Sequence, residues 1–113
     1  ECKSNSFPAS VDSIPTSAGK EDHVSMGPIA ARKLARNVAS LENVLAIELL
    51  CAMQGIDYRR PLRSSASVER AYAAPRAVVP PLGRDRVLAP DIAAAAQLIG
   101  DGALDGAIPA SSN

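Results

Sequence analysis

The 113 residues carry 12 Lys+Arg against 12 Asp+Glu, a formal net charge of zero, and are 47% hydrophobic. That length suits one domain, and the balanced charge excludes a generic nucleic-acid binder, which carries a basic surplus. Ala supplies 21 residues while Trp is absent, Phe occurs once and Tyr twice, a composition better suited to helix–helix seams than to a self-contained pocket, which aromatics usually anchor.

Cys2 and Cys51 make no disulfide framework, and Cys51, set in an apolar run, is expected as a buried reduced thiol. No basic-then-apolar leader follows Glu1, and the apolar stretch Val44–Met53 is interrupted by Glu48. It falls short of the roughly 20 residues that a spanning helix needs. A cytoplasmic setting is expected, with neither nucleic acid nor a membrane as partner. A first residue other than Met suggests a processed chain or a piece of a longer one.

Residues 1–24 read as an irregular segment: Pro8 and Pro15 lie among Ser4, Ser6, Ser10, Ser13, Thr16, Ser17 and Gly19, which is turn chemistry. Phe7, Val11 and Ile14 keep it from low complexity; so long a loop is usually disordered or functional, and a functional loop is expected here. Residues 25 to about 55 then carry the strongest pattern. Ser25 can cap a helix, Pro28 fits its first turn, and Gly55 sits where it would stop. Between them Ile29, Leu34, Val38, Leu41, Leu45 and Leu49 form one apolar stripe, and Ile47, Leu50 and Cys51 widen it in the second half. About 28 helical residues span roughly 42 Å, longer than the ~34 Å diameter of a compact domain of this size. The apolar half of this helix therefore calls for partners beyond the chain.

Shorter helices separated by prolines should follow. One runs from Ser67 to Val79, with Pro75 expected to kink or divide it and Pro80–Pro81 to stop it. Another opens at Pro90–Asp91, passes Ile92, Ala96 and Ile99, and ends at Gly100 and Gly102. A last turn is expected from Ala103 to Ile108 and a frayed tail from Pro109 to Asn113. No strand alternation or internal repeat is visible, so the expected class is all-α, one long core helix within a larger helical-bundle assembly.

Chemistry is concentrated at Lys20-Glu21-Asp22-His23, where the loop gives way to the long helix. A carboxylate there meets free N–H groups and the positive end of the helix dipole; by spacing alone, N-terminal capping is the plainer reading and an active site the sharper one. Consecutive residues diverge and no second Cys/His cluster completes a tetrahedron, so a metal is not expected. Glu48, inside an apolar run, should find an ion-pair or hydrogen-bond partner. Between Arg59 and Arg86, the arginines Arg59, Arg60, Arg63, Arg70, Arg76, Arg84 and Arg86 have one aromatic among them, Tyr72, no platform for stacked bases; they are expected to form a solvated or inter-subunit charged face. No nucleophile elbow, phosphate-binding loop or calcium loop occurs.

Three stretches carry a family resemblance. They are Pro8-Ala9-Ser10-Val11-Asp12-Ser13-Ile14-Pro15-Thr16-Ser17-Ala18, Glu21-Asp22-His23-Val24-Ser25-Met26-Gly27, and Ile29-Ala30-Ala31-Arg32-Lys33-Leu34. Together with Leu45–Leu50, Gln54–Asp57 and Asp85–Ile92, they resemble the C-terminal region of the histidine ammonia-lyases, within the aromatic amino acid lyases. The resemblance implies elimination of ammonia from an aromatic amino acid, giving urocanate from histidine. It also implies a methylidene-imidazolone electrophile formed autocatalytically from an internal Ala-Ser-Gly triplet, with no metal, and a homotetramer whose long helices bundle centrally. That triplet is absent here, Ser17-Ala18-Gly19 having the wrong order, so the isolated chain should be inert. On the resemblance, residues 1–24 are an active-site loop and 25–113 the α-helical C-terminal domain. Glu21 is the catalytic residue, reaching the substrate amine or imidazole, and His23 and Met26 support it from behind. Lys20 replaces the usual Gln, Phe7 a common His, and Pro75 interrupts a helix that usually lacks proline. A tyrosine or phenylalanine ammonia-lyase, an aminomutase of the same family and a non-catalytic helical assembly module are the alternatives.

Overall fold

The computed structural model describes residues 1–5, 7–9, 14, 16–20 and 24–107. Regular structure among them is helical: α1 (Cys2–Asn5), a 3₁₀ turn (Ser17–Gly19), α2 (Gly27–Asp57), α3 (Ala66–Arg76), α4 (Ala89–Gly100) and a second 3₁₀ turn (Asp105–Ala107). No strand occurs among the described residues, and the expected all-α class is what the chain adopts. The chain divides into two compact units, Glu1–Leu41 and Glu42–Asn113, with α2 contributing its first half to one and its second half to the other.

In the first unit, α2 begins as its sequence dictates. The Met26 carbonyl accepts the first helical bond from Ala30 N at 2.9 Å, the Ser25 hydroxyl accepts from Gly27 N at 3.4 Å, and Pro28 occupies the first turn, where a missing N–H is harmless. Lys33 on this helix donates through Nζ to the Phe7 carbonyl at 2.6 Å and lies 5.6 Å from the Phe7 ring centroid. The apolar stripe stays open: Leu34 is 63% and Leu41 52% exposed.

The second unit has a small core of Ala46, Met53, Pro75, Val79, Ala95 and Ala107. Ala46 and Met53, seven residues apart, mark the one face that α2 buries. Cys51 and Glu48 lie off that face and are exposed, which corrects the buried thiol and the buried, partnered carboxylate expected above. Leu45 and Ile47 remain 40% and 46% exposed. The helix also runs through Gly55 to Asp57 instead of stopping at the glycine. A helical Gly costs only about 1 kcal/mol, and the turn beyond it is held by the Asp57 contacts described below. By length and composition alone α2 could cross a membrane, its most apolar 18-residue window averaging 1.3 in hydropathy; the expected short, interrupted stretch understated it. Glu42 and Glu48 lie within that apolar half, and each would cost about 3 kcal/mol at a bilayer centre.

Ser65 caps α3, accepting from Val68 N. The helix is not divided at Pro75 but ends one residue beyond it, short of the expected Val79. In a last turn the ring removes a single bond, and the Pro75 carbonyl compensates by accepting from Val78 N at 3.1 Å and Val79 N at 2.8 Å. The connection to α4 is tied down by Gln54, whose Oε1 accepts from Leu82 N at 2.9 Å while its Nε2 donates to Leu82 O at 3.5 Å. Arg86 donates to the Pro80 and Pro81 carbonyls at 2.9 and 3.2 Å.

Pro90 and Asp91 open α4 as expected. Its end is a Schellman motif: Gly102 N donates to Ile99 O and Ala103 N to Leu98 O, at 3.1 and 3.0 Å, with Gly102 left-handed at φ 68°. The last turn is the 3₁₀ turn at Asp105–Ala107, whose Ala107 carbonyl accepts from Arg70 on α3 at 3.3 Å; the tail expected to fray lies outside the described residues.

Candidate functional site

Of the three residues named as site candidates, Glu21 and His23 lie outside the described residues, and Met26 lies within them. Met26 is half-buried at the point where α2 starts. The approach to this segment has an uncommon backbone. Ser17, Ala18 and Gly19 are all left-handed, at φ 53°, 56° and 82°, and the turn is closed by Gly19 N donating to Thr16 O at 3.1 Å and Lys20 N to Ser17 O at 3.2 Å. For Ser and Ala this conformation costs roughly 1–2 kcal/mol per residue, because Cβ crowds the following carbonyl. Lys20 returns to right-handed geometry at φ −80° with an exposed side chain.

A second polar constellation, in the C-terminal unit, was missed by the sequence reading. Asp57, the last residue of α2, accepts from both the Tyr72 hydroxyl and the Arg76 guanidinium. Arg76 also donates to the Val79 carbonyl at 3.0 Å. Beside it Arg60 forms a bidentate pair with Glu69, both bonds 2.9 Å, and lies 4.7 Å from the Tyr72 ring centroid. The Arg60 pair, reinforced by Ser64 N donating at 2.8 Å, holds the Glu69 carboxyl down at about 2, while Glu69 raises the Arg60 guanidinium. Arg86 pairs with Asp91 at 2.8 Å.

The arginine series is therefore not one solvated or inter-subunit face. Arg60, Arg70, Arg76 and Arg86 bind groups of this chain, the exposed Arg63 reaches Glu69 at 4.0 Å, and Arg59 and Arg84 are exposed. The signal was present in the spacing. Glu69, Tyr72 and Arg76 stand three and four residues apart, hence on one face of α3. This network binds α3 to the end of α2, its charges answered within the chain, with the Arg76 Nε left without a partner. An adjacent cleft of about 350 Å³ is lined by apolar groups including Leu50, Cys51, Tyr58, Val79, Leu82 and Leu88. No group of three or more His, Cys, Asp or Glu side chains that could hold a metal occurs among the described residues.

A family model described as aromatic amino acid lyase matches residues 1–77. The histidine ammonia-lyase of Sorangium cellulosum is 62% identical over 101 residues, covering 89% of this chain and 20% of the relative. That of Rhodospirillum rubrum is 51% identical over 109 residues, covering 96% and 21%. The crystal structure of histidine ammonia-lyase from Trypanosoma cruzi superimposes with a TM-score of 0.86 at 45% identity, over 96% of this chain and 22% of that one. The chain spans about a fifth of the length of these relatives.

Proposed function

Since this chain belongs to the aromatic amino acid lyase family, we propose that it is the C-terminal part of a histidine ammonia-lyase, which eliminates ammonia from histidine to give urocanate. The observation that carries the substrate is the identity of 51–62% to histidine ammonia-lyases over 89–97% of the chain. Ala-Ser-Gly does not occur in the 113 residues. The nearest match, Ser17-Ala18-Gly19, has the wrong order and forms a left-handed turn, so these residues do not fit the electrophile's source and it would come from outside the chain.

The chain's own contribution is a carboxylate. Glu21 stands in sequence between the turn ending at Gly19 and the start of α2 at Gly27. An ionised carboxylate near a helix start is favoured by the dipole, and it can pair with a cationic amine or accept an imidazole N–H. Met26, half-buried at that helix start, and His23 support it. The exposed stripe on α2 supports assembly as a homotetramer, each helix completing its seam against copies. The free thiols of Cys2 and Cys51 are consistent with a cytoplasmic enzyme.

The decisive experiment incubates the full-length protein separately with histidine, tyrosine and phenylalanine, following the conjugated product by its ultraviolet absorbance. Urocanate from histidine alone is expected; a product from tyrosine or phenylalanine instead assigns the other branch of the family, and no product from any of the three leaves only an assembly role. In the same protein Glu21→Gln should lower histidine turnover by about 10²-fold or more with the oligomer intact, and unchanged turnover would falsify the role of Glu21.

A further inference from the structure

We propose that the face of α2 opposite its buried side pairs with a second copy of this chain, the two helices antiparallel and Glu48 of each copy set against Arg59 of the other. The inference deepens the assembly reading above and takes from it only that copies associate. At about 100° per residue, Ala46 and Met53 mark one side of the helix, and Val44, Glu48, Ala52 and Gly55 fall on the other, all four exposed. Arg59 continues this row. The Tyr58 amide donates to Gln54 O at 3.2 Å and that of Arg59 to Ile56 O at 3.0 Å, so the chain turns on in the helical sense beyond Asp57. Ala52, Gly55 and Arg59 accordingly line a single hollow of about 400 Å³, together with Leu62.

Charge names the occupant. Glu48 and Arg59 are both exposed, and the ion pairs among the described residues use neither: Arg60 and Arg63 pair with Glu69, Arg76 with Asp57 and Arg86 with Asp91. The two stand eleven residues apart in the chain, three helical turns to within about 20° and roughly 16 Å along the axis. A two-fold axis passing between Ala52 and Gly55 carries Glu48 onto the Arg59 of a second copy and Arg59 onto its Glu48, the reciprocal contact of a closed dimer interface. Parallel helices in register would set like charge on like, so the pattern selects the antiparallel arrangement. At the axis the facing residues are Ala52 and Gly55, small enough for close approach. Leu45 and Leu62 are, like Glu48 and Arg59, equidistant from it in sequence, so the exposed Leu45 of one copy meets the hollow beside the exposed Leu62 of the other. Apolar contact supplies affinity, and the two ion pairs fix direction and register.

The test uses the full-length protein, with Glu48→Arg and Arg59→Glu made singly and together, and reads the subunit dissociation constant by sedimentation or mass photometry. Each single reversal places two like-charged pairs in the interface and is expected to raise the dissociation constant about ten-fold or more. The double variant, which exchanges the charges, should return to within about three-fold of wild type. So should an equal mixture of the two single variants, because in a mixed pair both contacts again join Arg to Glu, and that rescue requires both variants to be folded. Single variants that dissociate like wild type overturn the pairing. So does a mixture or a double variant that associates no better than the single variants, which would place the effect within one chain rather than between copies. A wild-type protein that stays monomeric at every concentration overturns the assembly reading itself, and this pairing with it.

Discussion

Asp57→Ala is the sharpest probe of how the C-terminal unit is held. The Arg76 side chain is 10% exposed and that of Asp57 14%, so the substitution leaves a nearly buried guanidinium with only the Val79 carbonyl as acceptor, its Nε already lacking a partner. Breaking a buried pair from one side costs about 3–5 kcal/mol; with one acceptor retained, about 3 kcal/mol is expected, near the lower end. Loss of the Tyr72 bond falls within that figure, because the hydroxyl can turn towards water. At 1.36 kcal/mol per decade this is about a hundred-fold larger local opening constant. Native-state hydrogen exchange of the full-length protein reads it directly, as faster exchange at Ala77, Val78 and Val79, whose amides close the end of α3. Adding Arg76→Met should restore much of the protection, since removing both charges leaves no orphan. A single variant that exchanges like wild type, or a double variant no better than the single, would refute the assignment of the network as a buried clamp.

Two further substitutions test other joints of the same unit. Gly102→Ala should cost about 1–2 kcal/mol, combining the left-handed penalty with a new Cβ 2.8 Å from Asp105 Oδ2, a flexible side chain that can give way; a thermal midpoint equal to wild type would contradict the Schellman end. The Glu69 carboxyl sits at about 2 against an ordinary 4.5, so its folded-state contribution is complete above about pH 4.5 and disappears as the pH falls towards 2. Glu69→Gln should accordingly narrow its stability deficit against wild type as the pH is lowered through that window, and a deficit independent of pH would show that the Arg60 pair contributes no linked protonation.

The helical layout was legible because it rests on local rules. Pro28 and Ser25 mark one helix start, Pro90 and Asp91 another, and Gly102 a stop, and each works through its own backbone within a turn. Failures came where a distant group decided. Gly55 does not end α2, because Asp57 is held from α3; Pro75 does not break α3, because it lies in the last turn. Cys51 and Glu48 are exposed although their neighbours are apolar, since hydropathy alone does not say which face of a helix its own chain will cover. The functional segment was legible only by family resemblance. Lys20, Glu21, Asp22 and His23 follow the spacing of an ordinary helix cap, and nothing in that spacing requires catalysis. The strained turn beside them left no mark beyond a single glycine, because Ser17 and Ala18 are poor indicators of left-handed backbone.

The exposure of Cys51 turns the apolar cleft beside it into something that can be timed. Its thiol lies on the rim formed by Leu50, Gln54 and Tyr58, where a maleimide meets it freely in the lone chain. Any surface that closes over the cleft must slow that reaction. With Cys2→Ser removing the other free thiol, the alkylation rate of this one sulfur becomes a clock for assembly, counting covered clefts molecule by molecule with no label built in.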